Sequence, residues 1–337
     1  MRNISARLTG SGLGVALVSA ATFGVSGPFA KSLLESGWSP GAAVGIRLGG
    51  AALVLIVPIL LSLRGRWSVL LRGWPMIVAY GLVPIAACQL FYFNAVQHLS
   101  VGVALLLEYL APVLIVGWLW LRTQRAPRSL TAVGAVIAMA GLVLVLDLFG
   151  GSVTHSPIGV MWGLLAAVCL AAFFLMSAHS DDALPPMVLV GGGLVVGTAA
   201  IFLAGWIGFF PMKFAATQVV LVGAEVSWLV PALGLVLICA VASYLTGLVA
   251  VRRLGSQVAS FIALTEVLFA VLAAWLMLGE LPGLIQLAGG SLIVTGVVLV
   301  RYDELRRLRK FTTAGRSASN ETAAMSGATP AHADQPQ

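Results

Sequence analysis

HLSVGVALLLEYLAPVLIVGWLWLRTQRAP, residues 98–127, is an apolar helix long enough to cross a bilayer, and it carries one acid, Glu108, near its middle. Pro112 follows about one turn later, and Arg122 and Arg125 close the end. The chain says nearly the same thing again over residues 253–282, RLGSQVASFIALTEVLFAVLAAWLMLGELP, where Glu266 is the acid inside the apolar run. A charged side chain at the centre of the hydrocarbon costs at least about 2.5–3.5 kcal/mol on insertion scales, so each acid requires a partner or a wet cavity.

Composition extends this reading to the whole chain. Of 337 residues, 60% are hydrophobic and 9% charged, against roughly 25% charged in soluble domains. That apolar content is too large for one water-soluble core and too evenly spread for one anchor. Breaks at polar residues leave ten candidate spans: 12–33, 41–63, 74–96, 100–121, 129–146, 159–178, 187–209, 228–250, 257–278 and 283–300. Each has the length a straight or tilted helix needs. Residues 210–227 contain an apolar run too short to cross and read as a re-entrant or surface loop. At the start, Arg2 and Arg7 before an apolar run, with Ser19-Ala20-Ala21 after it, resemble a signal peptide. The run continues through Phe29, which suits a spanning helix.

Charge placement orients the chain. With ten spans and the N-terminus in the cytoplasm, sixteen of the 19 Lys and Arg fall inside, Lys31 and Lys213 fall outside, and Arg47 lies within a span. Both termini are then cytoplasmic. The net charge of +7 belongs to this membrane asymmetry, because no soluble basic module for nucleic acid is present. Residues 301–310 read as a basic helix on the anionic inner leaflet, and from Thr312 onward the composition is that of a disordered tail.

The chain also repeats itself. An unbroken shift of 155 positions aligns Trp120-Leu121 with Trp275-Leu276, Pro127 with Pro282, Gly134 with Gly289 and Gly141 with Gly296. Five spans per half is an odd number, so the second half lies upside down relative to the first. The expected fold is an all-α polytopic membrane protein, ten transmembrane helices forming two inverted five-helix repeats. Residues 1–150 and 151–302 are the halves, and 303–337 form the tail. Repeats of this kind hold a transporter's binding site between them, near mid-membrane.

Candidate site residues follow from cost. Glu108 and Glu266 lie near the midplane, approached from opposite faces, and the internal alignment sets Glu266 opposite Ala111, three positions from Glu108. Glu108 either meets a cationic cargo group or a proton, or forms a structural ion pair with Arg47. Glu266 either serves the site or bonds helix to helix. Arg47 is a counter-ion, a snorkelled side chain or a contact for a carboxylate, and Lys31 a rim anchor or a site residue. Ser26-Gly27-Pro28 breaks helical hydrogen bonding, which membrane depth tolerates only under cover of protein or water. Weaker cavity-lining candidates are Gln89, Tyr92, Asn94, Tyr109 and Tyr244; Gln89 and Tyr92 share a polar-aromatic stripe, Asn94 lies off it, and Tyr244 stands where the repeat places Gln89. They serve equally well as interhelical hydrogen-bond partners. Cys88, Cys169 and Cys239 have no metal-ligand spacing, and no P-loop or catalytic constellation is present. No metal, cofactor or enzymatic activity is expected.

These features resemble the drug/metabolite transporter superfamily, EamA type. The resemblance covers about residues 12–300 and rests on LAPVLIVGWLWL echoed by TEVLFAVLAAWLMLGE. Within it, AKSLL, PGAAVGIRLGGAALVLI and SVGVALLLEYLAPV look closest to the threonine/homoserine exporter branch. The family's second half usually reads Glu-Pro where this chain has Glu266-Val267, so a missing kink is expected there. The resemblance implies Lys31, Arg47 and Glu108 as polar membrane positions, and export of amino acids or similar small metabolites, often by proton exchange. The expected protein is thus a secondary transporter of the cytoplasmic (inner) membrane. Its partners are a small-molecule substrate, a coupling proton and membrane lipid, and it is a monomer or homodimer. The rival expectations are a broad drug or nucleotide-sugar carrier of the same fold, or a membrane scaffold without turnover.

Overall fold

The computed structural model describes residues 2–63, 67–124, 126, 128–145, 156–178, 186–254, 262–300 and 302–303. The basic segment 301–310 apart from 302–303, the tail from Thr312, and Asp181-Asp182 lie outside the described residues. Seven helical stretches are long and apolar enough to cross a membrane: Gly12–Glu35, Pro40–Leu63, Leu70–His98, Val101–Thr123, Pro157–Met176, Met187–Trp206 and Leu229–Leu254. Three shorter apolar helices, Ser129–Leu144, Glu266–Leu278 and Leu284–Val300, fall where further spans are expected.

Several stretches are interrupted, and local chemistry says why. The first consists of α1 (Arg2–Gly24) and α2 (Ser26–Glu35). Pro28 has no N–H to offer the Gly24 carbonyl four residues back, and the chain turns at Val25. The second is α3 (Pro40–Leu63). The third is α4 (Trp67–Tyr80), a π-helical segment Gly81–Ala87 and α5 (Cys88–His98). The fourth is α6 (Val101–Glu108) and α7 (Ala111–Thr123), broken at Tyr109-Leu110, because Pro112 leaves the Glu108 carbonyl without its helical donor. Then come α8 (Ser129–Val145), α9 (Pro157–Ala178) and α10 (Pro186–Trp206).

The second half carries matching interruptions. After α11 (Leu229–Leu233), a π-helical segment Gly234–Ala242 leads into α12 (Ser243–Leu254). It ends 155 residues after the first π segment ends. Leu264-Thr265 is a turn, again at that offset from Tyr109-Leu110, and α13 (Glu266–Leu278) starts beyond it. The absence of Glu-Pro therefore does not remove the break. Thr265 Oγ1 donates to the Ile262 carbonyl at 2.7 Å, and a side-chain bond of this kind competes with the helical ladder. The last helix is α14 (Leu284–Val300).

One expectation is corrected. Residues 210–227 are not a plain loop: β1 (Gln218–Leu221) and β2 (Ala224–Ser227) pair antiparallel, Leu221 opposite Ala224, so the fold is helical with one added hairpin rather than wholly α. Val222 and Gly223 form its turn with φ of 55° and 70°, the two positive values a type I′ hairpin turn requires. The hairpin packs over one end of the helices. Trp38 Nε1 donates to the Ala215 carbonyl at 2.6 Å, Thr217 Oγ1 to the Ser36 carbonyl at 3.3 Å, and Val222 N to the Met277 carbonyl at 2.9 Å.

Packing repeats as well. α1 lies along α12 and α5 along α9, while α3 lies along α10. The backbones of α8 and α14 touch: a Cβ on Gly134 would lie 2.7 Å from the Gly296 carbonyl, and one on Gly141 would lie 2.5 Å from that of Gly289. Leu48, Phe93, Leu107, Leu194 and Leu235 are fully buried, yet Leu53, Leu71 and Leu284 are 73–85% exposed. Apolar residues outside as well as inside fit a hydrocarbon solvent.

Candidate functional site

The helix breaks deliver both acids to one place. Glu108 is the last residue of α6 and Glu266 the first of α13, so each stands at its break, on opposite sides of it. Together with Arg47 they line a cavity of about 30 Å³, whose wall is completed by Phe23, Gly24, Ser26, Gln89, Tyr92 and Leu105. That volume suits a single water rather than an amino acid.

Arg47 is 1% exposed and is held by neutral groups from three elements. Its Nη1 donates to Ser26 Oγ on α2 and to Gln89 Oε1 on α5 at 2.9 Å. Nη2 donates to the Cys239 carbonyl, within the second π segment, at 3.1 Å. The guanidinium carbon lies 5.9 Å from the Phe23 ring centre and 5.8 Å from that of Phe93, a cation–π contact on two sides. Nε is buried without any partner. Among the described residues no carboxylate lies within ion-pair distance of Arg47, so the alternative of a structural Glu108–Arg47 pair is not realised. A buried donor left unpaired costs about 1–3 kcal/mol, and a buried charge without a counter-charge costs more.

The acids have other neighbours. Cys88 Sγ donates to Glu108 Oε1 at 3.3 Å, and Tyr109 Oη donates to Glu266 Oε2 at 2.8 Å. Glu266 sits at a helix N-terminus, where the macrodipole favours a negative charge, whereas Glu108 sits at a C-terminus, where it does not.

Not every candidate joins the cavity. Lys31 is elsewhere, at the hairpin end, in an ion pair with Glu280. Asn94 turns back to its own helix, donating to the Leu90 carbonyl at 2.7 Å. Tyr244 packs edge-on against Phe23 at 5.4 Å, behind the wall, and Tyr109 meets Glu266 beside it. Phe23, Leu105 and Cys88 are site neighbours that no sequence signal marked, since each is one apolar residue among many. Glu280 carried a usable signal: an acid at the end of a span, on the side where Lys31 is one of two cations.

Similarity to known proteins bears on this arrangement. Residues 10–147 and 157–302 each match the EamA-like transporter family. The inner membrane transporter YicL of Salmonella typhimurium is 24% identical over 303 residues, covering 87% of this chain and 96% of YicL. The aromatic amino acid exporter YddG of Ancylobacter novellus is 31% identical over 187 residues, 56% of this chain and 60% of that protein. A probable terminal-alkyne amino-acid exporter of Streptantibioticus cattleyicolor is 27% identical over 247 residues, 73% of this chain and 79% of its own length.

Proposed function

Because the chain belongs to the EamA-like transporter family, of the drug/metabolite transporter superfamily, it is a multi-pass membrane transporter, and we propose that it exports an amino acid or a chemically similar small metabolite. One observation carries this reading: Arg47, buried and outside any ion pair among the described residues, faces a cavity that also holds two carboxylates. A cargo carboxylate would supply the acceptor that Nε lacks, and a bidentate fork suits that group. Glu108 would meet the cargo ammonium or an exchanging proton, with Glu266 as its counterpart from the other half. The names of YddG and the alkyne amino-acid exporter favour the same cargo class. The threonine/homoserine branch remains the nearest pattern in the motifs.

The mechanism we infer is alternating access by ten spans in two inverted halves, 1–150 and 151–302. The paired π segments, the breaks at matching positions and the reciprocal contacts of Gly134 with Gly296 and of Gly141 with Gly289 support it. Under a shift of 155, Gly134 corresponds to Gly289 and Gly141 to Gly296, so the Gly134–Gly296 contact maps onto the Gly289–Gly141 contact, as a two-fold axis requires. Both termini would be cytoplasmic, with the hairpin outside. Arg72, Arg122, Arg128, Arg252 and Arg253 at the opposite end favour that orientation. A gradient of protons or cargo would drive the cycle.

The test is counterflow into proteoliposomes with a panel of radiolabelled amino acids. Accumulation that Arg47→Ala and Glu108→Gln each abolish is expected. Wild-type transport by both variants, or no accumulation with any amino acid, would overturn the reading.

A further inference from the structure

At the hairpin end, one carboxylate joins three parts of the chain. Glu280 follows α13, and its backbone is fixed by the helix's own ending: Gly279 takes a left-handed conformation at φ 72°, and Glu280 N donates to the Ala274 carbonyl at 3.2 Å. Glu280 Oε1 pairs with Lys31 Nζ on α2, which also donates to the Leu99 carbonyl at 3.4 Å. Glu280 Oε2 accepts from Val101 N at 3.1 Å. Val101 opens α6, so its N–H is one of the donors a helix start leaves unpaired, and a carboxylate there also answers the dipole.

α6 is an eight-residue rod, about 12 Å long. Its first residue rests on Glu280 and its last is Glu108. The break at Tyr109-Leu110 separates it from α7, so it can tilt without carrying the rest of the span. There is room for it to do so. A cavity of about 360 Å³ lies beside it, lined by Gly102 and Leu106 of α6, Val267 and Val271 of α13, and Gly290 of α14. The side chains of Lys31 and Glu280 are 17% and 21% exposed, so the pair lies partly within reach of water.

We propose that Glu280 is a positioning residue for transport: shared between Lys31 and the start of α6, it closes the hairpin end and seats Glu108 in the cavity at once. Parting of Lys31 from Glu280 frees α6, opens the site toward the hairpin face and moves Glu108 in one step. This rests on the alternating-access reading above, and it deepens that reading by naming the gate and its linkage to the site acid.

The experiment uses the full chain in proteoliposomes, with Leu105→Cys on the cavity wall as reporter. Its alkylation by a membrane-impermeant maleimide from the hairpin face is compared with a chain lacking that cysteine, which corrects for the buried native thiols. Lys31→Glu and Glu280→Lys should each speed alkylation at least about fivefold, the shift that 1 kcal/mol of lost pairing gives. The double reversal restores the ion pair but leaves Val101 N without its acceptor, so it should return alkylation part of the way to the parent, below either single. In counterflow, the singles should lower kcat, leave KM within about twofold, and be partly rescued in the double reversal. If a reversal does not give monodisperse protein, Glu280→Gln removes the ion pair while keeping an acceptor for Val101, and should raise alkylation in the same direction. Unchanged alkylation in the singles, or a double reversal as open as either single, overturns the proposal. Alkylation needs no cargo, so a parent that moves no amino acid but shows the reversal and rescue would sink the cargo assignment and leave the gate standing.

Discussion

Tyr109 Oη donates to the Glu266 carboxylate across 2.8 Å, with the Ala263 carbonyl 3.2 Å away as a weaker second acceptor. The hydroxyl thus sits at the break of one half and bonds to the break of the other. A contact between residues 157 positions apart, made by a buried hydroxyl, joins the break after α6 to the start of α13.

Tyr109→Phe removes the donor and keeps the ring. The Glu266 carboxylate then loses the hydrogen bond that Tyr109 supplies, which should destabilise the folded protein by about 1–3 kcal/mol. Tyr109→Phe combined with Glu266→Met should cost less than the sum of the two, because each single removes the same interaction. Thermal unfolding of the four proteins in detergent measures this. Strict additivity would mean that the hydrogen bond carries no energy.

Arg47 separates function from stability. A buried charge outside any ion pair carries a desolvation cost of several kcal/mol, which an apolar replacement removes. Arg47→Met should therefore hold or raise the melting temperature while abolishing transport. Arg47→Lys keeps the charge but loses the planar fork, and should lower transport about tenfold or more. A melting temperature that collapses in Arg47→Met would make the residue structural.

The contact of α8 with α14 depends on the absence of side chains. Gly141→Leu pushes a side chain into the Gly289 carbonyl and Ile293, and should cost about 1–3 kcal/mol or prevent assembly. Gly117 has nothing within 4 Å of its missing Cβ, so Gly117→Ala should be neutral or stabilising by about 0.5–1 kcal/mol. Size-exclusion profiles and melting curves of the two variants report the difference.

Val222 holds φ at 55°, a conformation that strains a β-branched residue by about 1–3 kcal/mol. Its N–H donates to the Met277 carbonyl, so the hairpin turn is held by docking on the end of α13. Val222→Asn relieves the strain without removing that N–H. Amide exchange across residues 218–227 should slow, and faster exchange would show that the valine side chain, not the turn geometry, keeps the hairpin in place.

Much of the architecture was legible one residue at a time. Pro28 marked a helix break because a missing N–H acts on a carbonyl four residues away, within the same stretch of chain; Pro112 acts the same way, yet its span read as one unbroken helix. The break at Thr265 was harder to read, since a threonine hydroxyl has several local choices and only the folded backbone shows which one it takes. Glu108 and Glu266 were marked by cost alone. Of their nearest partners, Tyr109 was marked only as a weaker cavity-lining candidate and Cys88 not at all, because a cysteine or tyrosine in an apolar run carries no sign of what it faces. The hairpin escaped notice because its strands are four residues each, too short for a period-two pattern to stand out.

Sequence alone determined the apolar stretches, their order and the internal repetition. These follow from the length of hydrocarbon to be crossed and from charges that lipid rejects, and both are local properties of the chain. Only the tertiary structure decided that Arg47 meets Ser26, Gln89 and the Cys239 carbonyl rather than an acid, and that Lys31 belongs to Glu280 rather than to the cavity. Those choices join residues 21 to 249 positions apart. They depend on which helix faces are turned toward one another, and that is fixed by packing small residues such as Gly134 and Gly296 against each other, not by any property a single segment carries.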